Sequence, residues 1–475
     1  IQNNTADADR LIDALSNRLH IGRVDLVIDL DLLRQLPYLL RKWHYHIRCI
    51  LFRERSHWIL AGVQSAKDNQ FPAGLAVDLG TSRVVLRLVN LISGDVLAED
   101  AFDNPQIDIG PDILARIHHA ADQTGLEHLQ QLICNGINQN LVRLCQSCSQ
   151  VPTDIYLVTV AGNTTMTHML LGLSPSWMIR EPYIPVVNRP GLIPCAELGI
   201  QSSPHARVFV FPNIGSYFGG DLIAGLLFSG IHRSDETALL VDVGTNAEVV
   251  LGNKHWLIAC AGAAGPALEG GVTQIGMMAG PGVIDRIKFD RTSGEFDLHT
   301  IGDQPPHGIC GSGLIDLAAE LFLWGFIDIR GRFQRQTCGD RLLDIDGDLH
   351  LVIVPAASSA HAKPLTISQI DLDSLIRSKA AMYTILETIA TTVGLRLEDI
   401  TKFFVAGTFG TFIQPSSAIS IGMLPDLPFH AFSVLGNSSL GGATLLLTSD
   451  RLIDEIDQIR ERITYLELNV NQDFM

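Results

Sequence analysis

Two short segments combine a carboxylate, a glycine and a hydroxyl in the order that phosphate chemistry uses: Asp78-Leu79-Gly80-Thr81-Ser82 and Asp242-Val243-Gly244-Thr245-Asn246. Each follows an apolar run that reads as a β-strand. The Asp then closes the strand, the Gly lets the backbone turn back, and the Thr offers a hydroxyl and an N–H to a phosphate. Asp78 and Asp242 are the carboxylates placed to hold Mg2+, directly or through water. One Asp-x-Gly-Thr is a weak signal, because most strand-turn sequences merely close a hairpin. Two copies so far apart are what a duplicated α/β fold places on opposite walls of one cleft. Alternating strands, Val84 to Val89 and Ala247 to Leu251, follow the two copies and complete a hairpin around each turn.

Four further segments offer backbone amides or bare backbone. Gly162-Asn163-Thr164-Thr165-Met166 follows a strand, Ile155 to Val160, and opens a helix; its amides suit an anion, and Asn163 or Thr164 equally suits an ordinary helix N-cap. Ala261 to Gly271, with Gly265 inside it, is too rich in small residues for core alone and suits close approach to a ligand or a neighbouring lobe. Gly308-Ile309-Cys310-Gly311-Ser312-Gly313 precedes an amphipathic helix, Leu314 to Leu323, and again sets amides at a helix N-terminus. Phe403 to Gly410, which contains Gly407 and Thr408, reads as a buried strand running into a glycine turn suited to the face of a flat base.

The elements that must position these residues follow from pattern. The 475 residues, 47% of them hydrophobic, are enough for two to four domain-sized units with large cores. Residues 1–70 read as a small α/β domain, with a helix over Leu33 to Trp43, strands over His46 to Arg53 and Trp58 to Val63, and a polar linker reaching residue 73. Strand, turn, strand, helix then begins at Gly74 and repeats after Thr237. This sets one lobe at 74–236 and a second at 237–475, whose C-terminal helices are expected to return to the first.

A net charge of −17 argues against nucleic acid or an anionic membrane as the main partner. No uncharged apolar run approaches the roughly 18 residues of a membrane span. Eight cysteines are scattered, and Cys145 and Cys148 form the one Cys-x-x-Cys, on an amphipathic stretch that favours buried thiols over a metal site. A reducing cytoplasm fits that usage. The chain starts at Ile1 without a signal-like segment, which suggests a piece of something longer.

Taken in order, Asp78-Leu-Gly-Thr, Gly162-Asn-Thr-Thr-Met166, Asp242-Val-Gly-Thr-Asn246, Ala264-Gly-Pro266, Gly308-Ile-Cys-Gly-Ser-Gly313 and Ala406-Gly-Thr-Phe-Gly410 resemble the motifs of the reductive activators of corrinoid enzymes. Those are ATP-dependent members of the actin, sugar kinase and heat-shock chaperone superfamily. The resemblance spans roughly residues 74 to 450, and residues 1–70 match only weakly the small middle domain that precedes the ATPase domain in that family. It implies a two-lobed, duplicated α/β ATPase fold behind a small α/β domain. It also implies an activity: ATP-driven return of an inactive cobalt(II) corrinoid to the cobalt(I) state used in methyl transfer.

The resemblance further implies the site. Asp78, Gly80, Thr81 and Ser82 would form the first phosphate loop, and Asp242, Gly244, Thr245 and Asn246 the second, with Mg2+ near Asp78 or Asp242. Gly162, Asn163, Thr164, Gly265, Gly311 and Ser312 would add nucleotide contacts, and Gly407, Thr408 and Gly410 would line the adenosine pocket. Lys379, on a helix expected over Leu375 to Tyr383, either reaches nucleotide or is an exposed helix lysine. Four positions depart from the family pattern: Ser82-Arg83 replaces a run of threonines, Thr408 replaces a glycine, and Met278 stands where a basic residue is usual.

Gly219-Gly220-Asp221, followed by an apolar helix from Leu222 to Phe228, resembles the segment where sugar kinases carry their catalytic base. Asp221 would deprotonate a substrate hydroxyl in a kinase, orient the attacking water in an activator, or cap its helix.

The implied partners are a corrinoid protein of a methyltransferase system and an electron donor. Relatives in the family usually carry a 2Fe-2S domain ahead of the middle domain, and no four-cysteine cluster pattern exists here. The cluster is therefore expected on a domain cut from this chain, or on a separate ferredoxin-type protein. A homodimer is an expected assembly, since closed homo-oligomers are common. Two alternatives stay open at this point: a small-molecule kinase of the same superfamily, and a nucleotide-binding scaffold without turnover.

Overall fold

The structure, a computed structural model, describes residues 4–54, 56–67, 71–244, 247–262, 273–407, 413–449 and 451–466. In the first segment, helix Asp7–Leu19 buries Leu11 and Leu15, and helix Leu30–Lys42 buries Leu32, Leu36 and Leu40. That i, i+4 spacing stripes one face of each helix. The stripes cover a sheet of β1 (Leu26–Ile28), β2 (Ile47–Glu54) and β3 (His57–Ser65) in the order β1-β3-β2, with Leu26, Leu60 and Val63 in the shared core. The second helix starts three residues before the expected Leu33, because Asp29 is extended and already hands the chain into the helical turn.

Six strands follow: β4 (Ala73–Leu79), β5 (Arg83–Asn90), β6 (Val96–Asp103), β7 (Ile155–Gly162), β8 (Leu192–Pro194) and β9 (Arg207–Val210). Their order is β6-β5-β4-β7-β9-β8, antiparallel from β4 to β6 and parallel from β4 through β7 to β9. Next come β10 (Ala238–Val243), β11 (Ala247–Gly252) and β12 (Leu257–Gly262). Two three-stranded sheets intervene, β13 (Val283–Asp290), β14 (Glu295–Thr300) and β15 (Gly308–Ile309), then β16 (Leu342–Ile345), β17 (Asp348–Val354) and β18 (Leu365–Ser368). β19 (Lys402–Ala406), β20 (Phe432–Gly436) and β21 (Ile463–Tyr465) complete a second six-stranded sheet, ordered β20-β19-β10-β11-β12-β21.

Number the strands of each large sheet from its own first strand, and both contain the order third, second, first, fourth, antiparallel on one side of the first strand and parallel on the other; the next parallel strand is the sixth, β9, in one sheet and the fifth, β20, in the other. The two sheets are copies of one design. β4 and β10 are the central strands, covered on both faces, which is why they read as nearly continuous apolar runs. In each, every residue is buried except the penultimate one, Asp78 in β4 and Asp242 in β10.

The chain divides into two compact units, Ile1–Phe228 with Ser439–Glu461, and Ser229–Ser438 with Arg462–Met475. Within the first unit the N-terminal layer is docked on the sheet behind it. Ile50, Phe52 and Ala61 share a cluster with Tyr156, and a Cβ on Gly62 would lie 2.2 Å from Tyr156 Cε1. Arg207 Nη2 meets Asp29 Oδ2 at 2.7 Å beside them. Helix Ser438–Thr448 packs equally closely in this unit: a Cβ on Gly442 would lie 2.0 Å from the Ala224 carbonyl oxygen in helix Gly220–Ser229. No helix among the described residues is long and apolar enough to cross a membrane.

Candidate functional site

In the first unit the turn after β4 is held tightly. A Cβ on Gly80 would come 2.4 Å from the Arg83 carbonyl oxygen, so the hairpin closes only with glycine at this position. Asn104, at the end of β6, donates its side-chain amide to the Gly80 carbonyl (3.0 Å) and its backbone N–H to the Ser82 carbonyl (2.9 Å). Both carbonyls are thus engaged from the same side. An anion-binding turn needs this, because its N–H groups must face the ligand.

Of the two readings of its motif, Asn163 takes the helix-cap part, and it also reaches the phosphate turn. It is the N-cap of helix Thr164–Leu170, with Oδ1 accepting from the Met166 N–H at 2.9 Å, and its Nδ2 donates to Thr81 Oγ1 at 3.1 Å. Gly162 lies against the other side of the same turn, where a Cβ would sit 2.8 Å from the Leu79 carbonyl oxygen. The Thr164 hydroxyl is engaged elsewhere, on the Gly215 carbonyl (3.1 Å).

Two carboxylates belong to this cluster. Ser439 Oγ donates to Asp78 Oδ1 at 2.8 Å and orients it. Asp221, partly exposed, lies at the start of helix Gly220–Ser229; a Cβ on Gly219 would meet its Oδ1 and the Asn163 Cα. Its carboxylate accepts the N–H of the adjacent Leu222 (2.9 Å), not the amide two or three residues on that an N-cap takes, so the cap expectation does not hold in its ordinary form. Burial pushes the Asp221 carboxyl up to about 6, against the pull of the Leu222 amide and with a further push from the charge of Asp78. A carboxyl poised there exchanges protons near neutral pH.

In the second unit Asp242 sits between Ala406 of β19 and Glu248 of β11. Gly407 follows β19 with φ +86°, and a Cβ there would come 2.7 Å from both Asp242 Oδ1 and the Val243 carbonyl oxygen. Asp242, Gly244 and Gly407 are therefore neighbours at one end of one sheet. Thr245, Asn246, Gly265, Thr408 and Gly410 lie outside the described residues.

Gly311 and Ser312 open helix Gly311–Leu323 as expected, but the Ser312 hydroxyl is engaged with the Asp285 carbonyl (3.1 Å) and the Cys310 sulfur (3.2 Å). What remains for a ligand there is backbone. Lys379 lies in a much longer helix than expected, Gln369–Thr392, and is half-buried instead of exposed, with Nζ 3.5 Å from where a Cβ on Gly422 would stand.

Ser439 and Asn104 escaped the sequence reading. The stretch Gly436-Asn-Ser-Ser-Leu-Gly-Gly442, a strand end opening a helix in small residues, and the strand-ending Asn104-Pro105 were the available signals.

Among the described residues no group of three or more His, Cys, Asp or Glu side chains could cage a metal ion. Asp78 and Asp242 are each a single carboxylate near the end of its own strand, and a lone carboxylate suits an ion keeping most of its water, as Mg2+ does. Cys134, Cys145, Cys195, Cys260, Cys310 and Cys338 are buried and Cys49 and Cys148 partly so; burial pushes Cys49 and Cys134 up to about 11, and Cys145, Cys195 and Cys260 up to about 12.

A sheet repeated with the same order in four of its strands, and a carboxylate beside a glycine turn at the end of each first strand, define a nucleotide-binding ATPase of the actin, sugar kinase and heat-shock chaperone superfamily. Residues 236–475 match the C-terminal domain of RACo, the ASKHA domain; residues 73–234 match the RACo middle region, and residues 1–69 the RACo linker region. The chain belongs to the RACo family, the reductive activators of corrinoid proteins. It is 37% identical to a solved reductive activator for a corrinoid, iron-sulfur protein, with a TM-score of 0.90 over 99% of this chain and 75% of that one. It is 28% identical to the corrinoid activation enzyme RamQ of Eubacterium limosum, over 100% of this chain and 84% of that enzyme. A Methanosarcina barkeri [Co(II) methylated amine-specific corrinoid protein] reductase is 23% identical over 82% of this chain and 73% of its own. The family's vocabulary gives the name linker region to the segment read above as a small middle domain.

Proposed function

We propose that this protein hydrolyses ATP to drive one-electron reduction of a corrinoid protein, converting inactive cobalt(II) to cobalt(I). The observation that carries the reading is the 0.90 TM-score over 99% of the chain to an activator of this kind, at 37% identity. The cobalt(II)/cobalt(I) couple is strongly reducing, and for one electron every 59 mV of unfavourable potential costs about tenfold in equilibrium constant. Coupling to ATP hydrolysis offsets that cost. The electron comes from an iron–sulfur protein or domain, as the family resemblance implies.

In the hydrolytic step water attacks the γ-phosphorus, the bond to the β-phosphate oxygen breaks, and ADP and phosphate leave. Asp221 takes the proton of the attacking water, a role supported by a carboxyl raised to about 6. The amides of Gly80 to Ser82 hold phosphate oxygens, the carbonyls of Gly80 and Ser82 being engaged by Asn104. Asp78, oriented by Ser439, or Asp242, braced by Gly407, would hold the hydrated Mg2+ that accompanies the nucleotide. When bound, that ion neutralises phosphate charge.

The test is ATP hydrolysis measured anaerobically with a corrinoid protein held as cobalt(II), and with its cobalt(I) or methylated form as control. Stimulation by the cobalt(II) form alone is expected. Indifference to every corrinoid form, with ADP appearing only on addition of a small hydroxylated compound, would replace the activator with a kinase.

A further inference from the structure

Arg116, in helix Ile113–His119, is fully buried, and among the described residues it makes no ion pair. Asp112, the N-cap of that helix, spends its Oδ1 on the Ala115 N–H and acts on the guanidinium through its charge alone. The guanidinium instead donates Nε to the Gly110 carbonyl (2.8 Å) and Nη1 to Gln106 Oε1 (3.3 Å) and to the Met166 sulfur (3.3 Å), while Nη2 finds no hydrogen-bond partner. Burying an unpaired cation is costly, so its retention calls for a reason beyond packing.

The two Nη1 contacts begin two arms. Along the first, the Gln106 N–H donates to Asn104 Oδ1 (3.0 Å), and Asn104 holds the carbonyls of Gly80 and Ser82. Along the second, the Met166 N–H donates to Asn163 Oδ1 (2.9 Å), and Asn163 Nδ2 reaches Thr81 Oγ1 (3.1 Å). The arms converge on three consecutive residues, 80, 81 and 82. The Gln106 side chain is fixed between them, because its Oε1 faces Arg116 and its Nε2 donates to the Leu129 carbonyl (2.9 Å).

We propose that Arg116 is a positioning residue for the first phosphate turn: one buried guanidinium anchors both arms that hold Gly80 to Ser82, and its positive charge favours an anion on that turn. Two consequences separate. The bracing is a property of the nucleotide-free protein. The anion preference rests on the nucleotide reading given above. Removing the charge weakens ligands in proportion to their phosphate charge, whereas simple damage to the fold weakens them all alike.

The experiment uses the full chain and the variants Arg116→Met, which keeps length and drops charge, and Gln106→Glu, which gives Arg116 a carboxylate partner at nearly the same size. Amide hydrogen exchange without nucleotide reads the bracing at Asn104, Gln106 and Met166, whose N–H groups lie on the two arms, with Val77 and Leu86 of β4 and β5 as controls. In Arg116→Met the three reporters should exchange at least about tenfold faster while the controls hold. Unchanged reporters, or an equal rise in reporters and controls, overturns the proposal.

Titration with ATP, ADP and adenosine reads the charge. Gln106→Glu should weaken ATP about tenfold, ADP less, and adenosine by under about twofold, and equal effects on all three overturn the charge role. If Arg116→Met does not fold, Gln106→Glu carries the test alone. Failure of the unsubstituted chain to bind ATP sinks the nucleotide reading, and the exchange data still decide the bracing.

Discussion

Gly407 and Asp242 are in contact so close that no side chain fits between them: a Cβ on Gly407 would stand 2.7 Å from the Asp242 carboxylate oxygen, on a backbone with φ +86°. The glycine is what lets β19 turn away at the place where β10 presents its one acid, half-buried Asp242. Gly407→Ala should therefore cost on the order of 1–3 kcal/mol in backbone strain and displaced carboxylate. Asp242→Ala should leave the thermal midpoint nearly unchanged, since a single carboxylate adds little to a core of this size. Both variants should lose ATP-dependent activation. Thermal melts beside the activation assay check the contrast, and normal activation by Asp242→Ala would remove that residue from the mechanism.

Asp221 sets the pH profile. As the acceptor of a proton it works only when ionised, so ATP turnover should rise with pH through about 6 and fall away below it. Asp221→Asn should lower kcat by roughly 10²- to 10⁴-fold with ATP affinity kept. A profile flat between pH 5 and 8 would exclude the role.

The same residue should be a liability for stability. Its folded carboxyl titrates above the unfolded value of 3.8, so its contribution is fully present below pH 3.8 and is lost as pH rises through about 6. At pH 7 Asp221→Asn should thus be more stable than the parent chain, by on the order of 1–2 kcal/mol allowing for the partial exposure of the group. Denaturant unfolding at pH 4 and pH 7 tests this, with the gain expected only at the higher pH.

Ser439→Ala removes the donor that orients Asp78. A hydrogen bond to a charged group contributes about 1.5–3 kcal/mol, so the KM for Mg-ATP should rise by roughly ten- to a hundredfold with little change in fold. Ser439→Thr keeps the hydroxyl and should restore most of it. Equal loss in both variants would mean that the helix, and not the hydroxyl, matters.

Docking of the N-terminal layer depends on a missing side chain. Gly62→Ala places a methyl 2.2 Å from Tyr156 Cε1 and should cost about 1–3 kcal/mol through overpacking. A thermal midpoint within a degree of the parent would show that the two layers part easily.

The central strands and their turns were legible in the sequence because their constraints are local: a twice-covered strand is apolar throughout, a tight turn takes glycine, and an acid at the strand end breaks the pattern visibly. Asp78, Gly80, Asp242 and Gly407 announce themselves in this way. Their supports do not. Ser439 reaches Asp78 from the far end of the chain, and Arg116 reads as one more polar residue on a short helix until the fold buries it. The helix around Lys379 was underestimated because its mixed faces pack against several elements, which blurs the single apolar stripe on which a sequence reading depends. The Asp221 carboxyl is raised by its surroundings, which no spacing of residues reveals.

The depth at which the cysteines lie bears on how the protein meets air. Oxidation proceeds through the thiolate at an accessible sulfur, and here most of the sulfurs are buried and held protonated. Exposure to oxygen should leave the ATPase intact without a thiol reductant. Where a preparation of the assembled system fails in air, the fault then belongs to the cobalt centre or to the electron carrier, and these are the components to replace before discarding the activator.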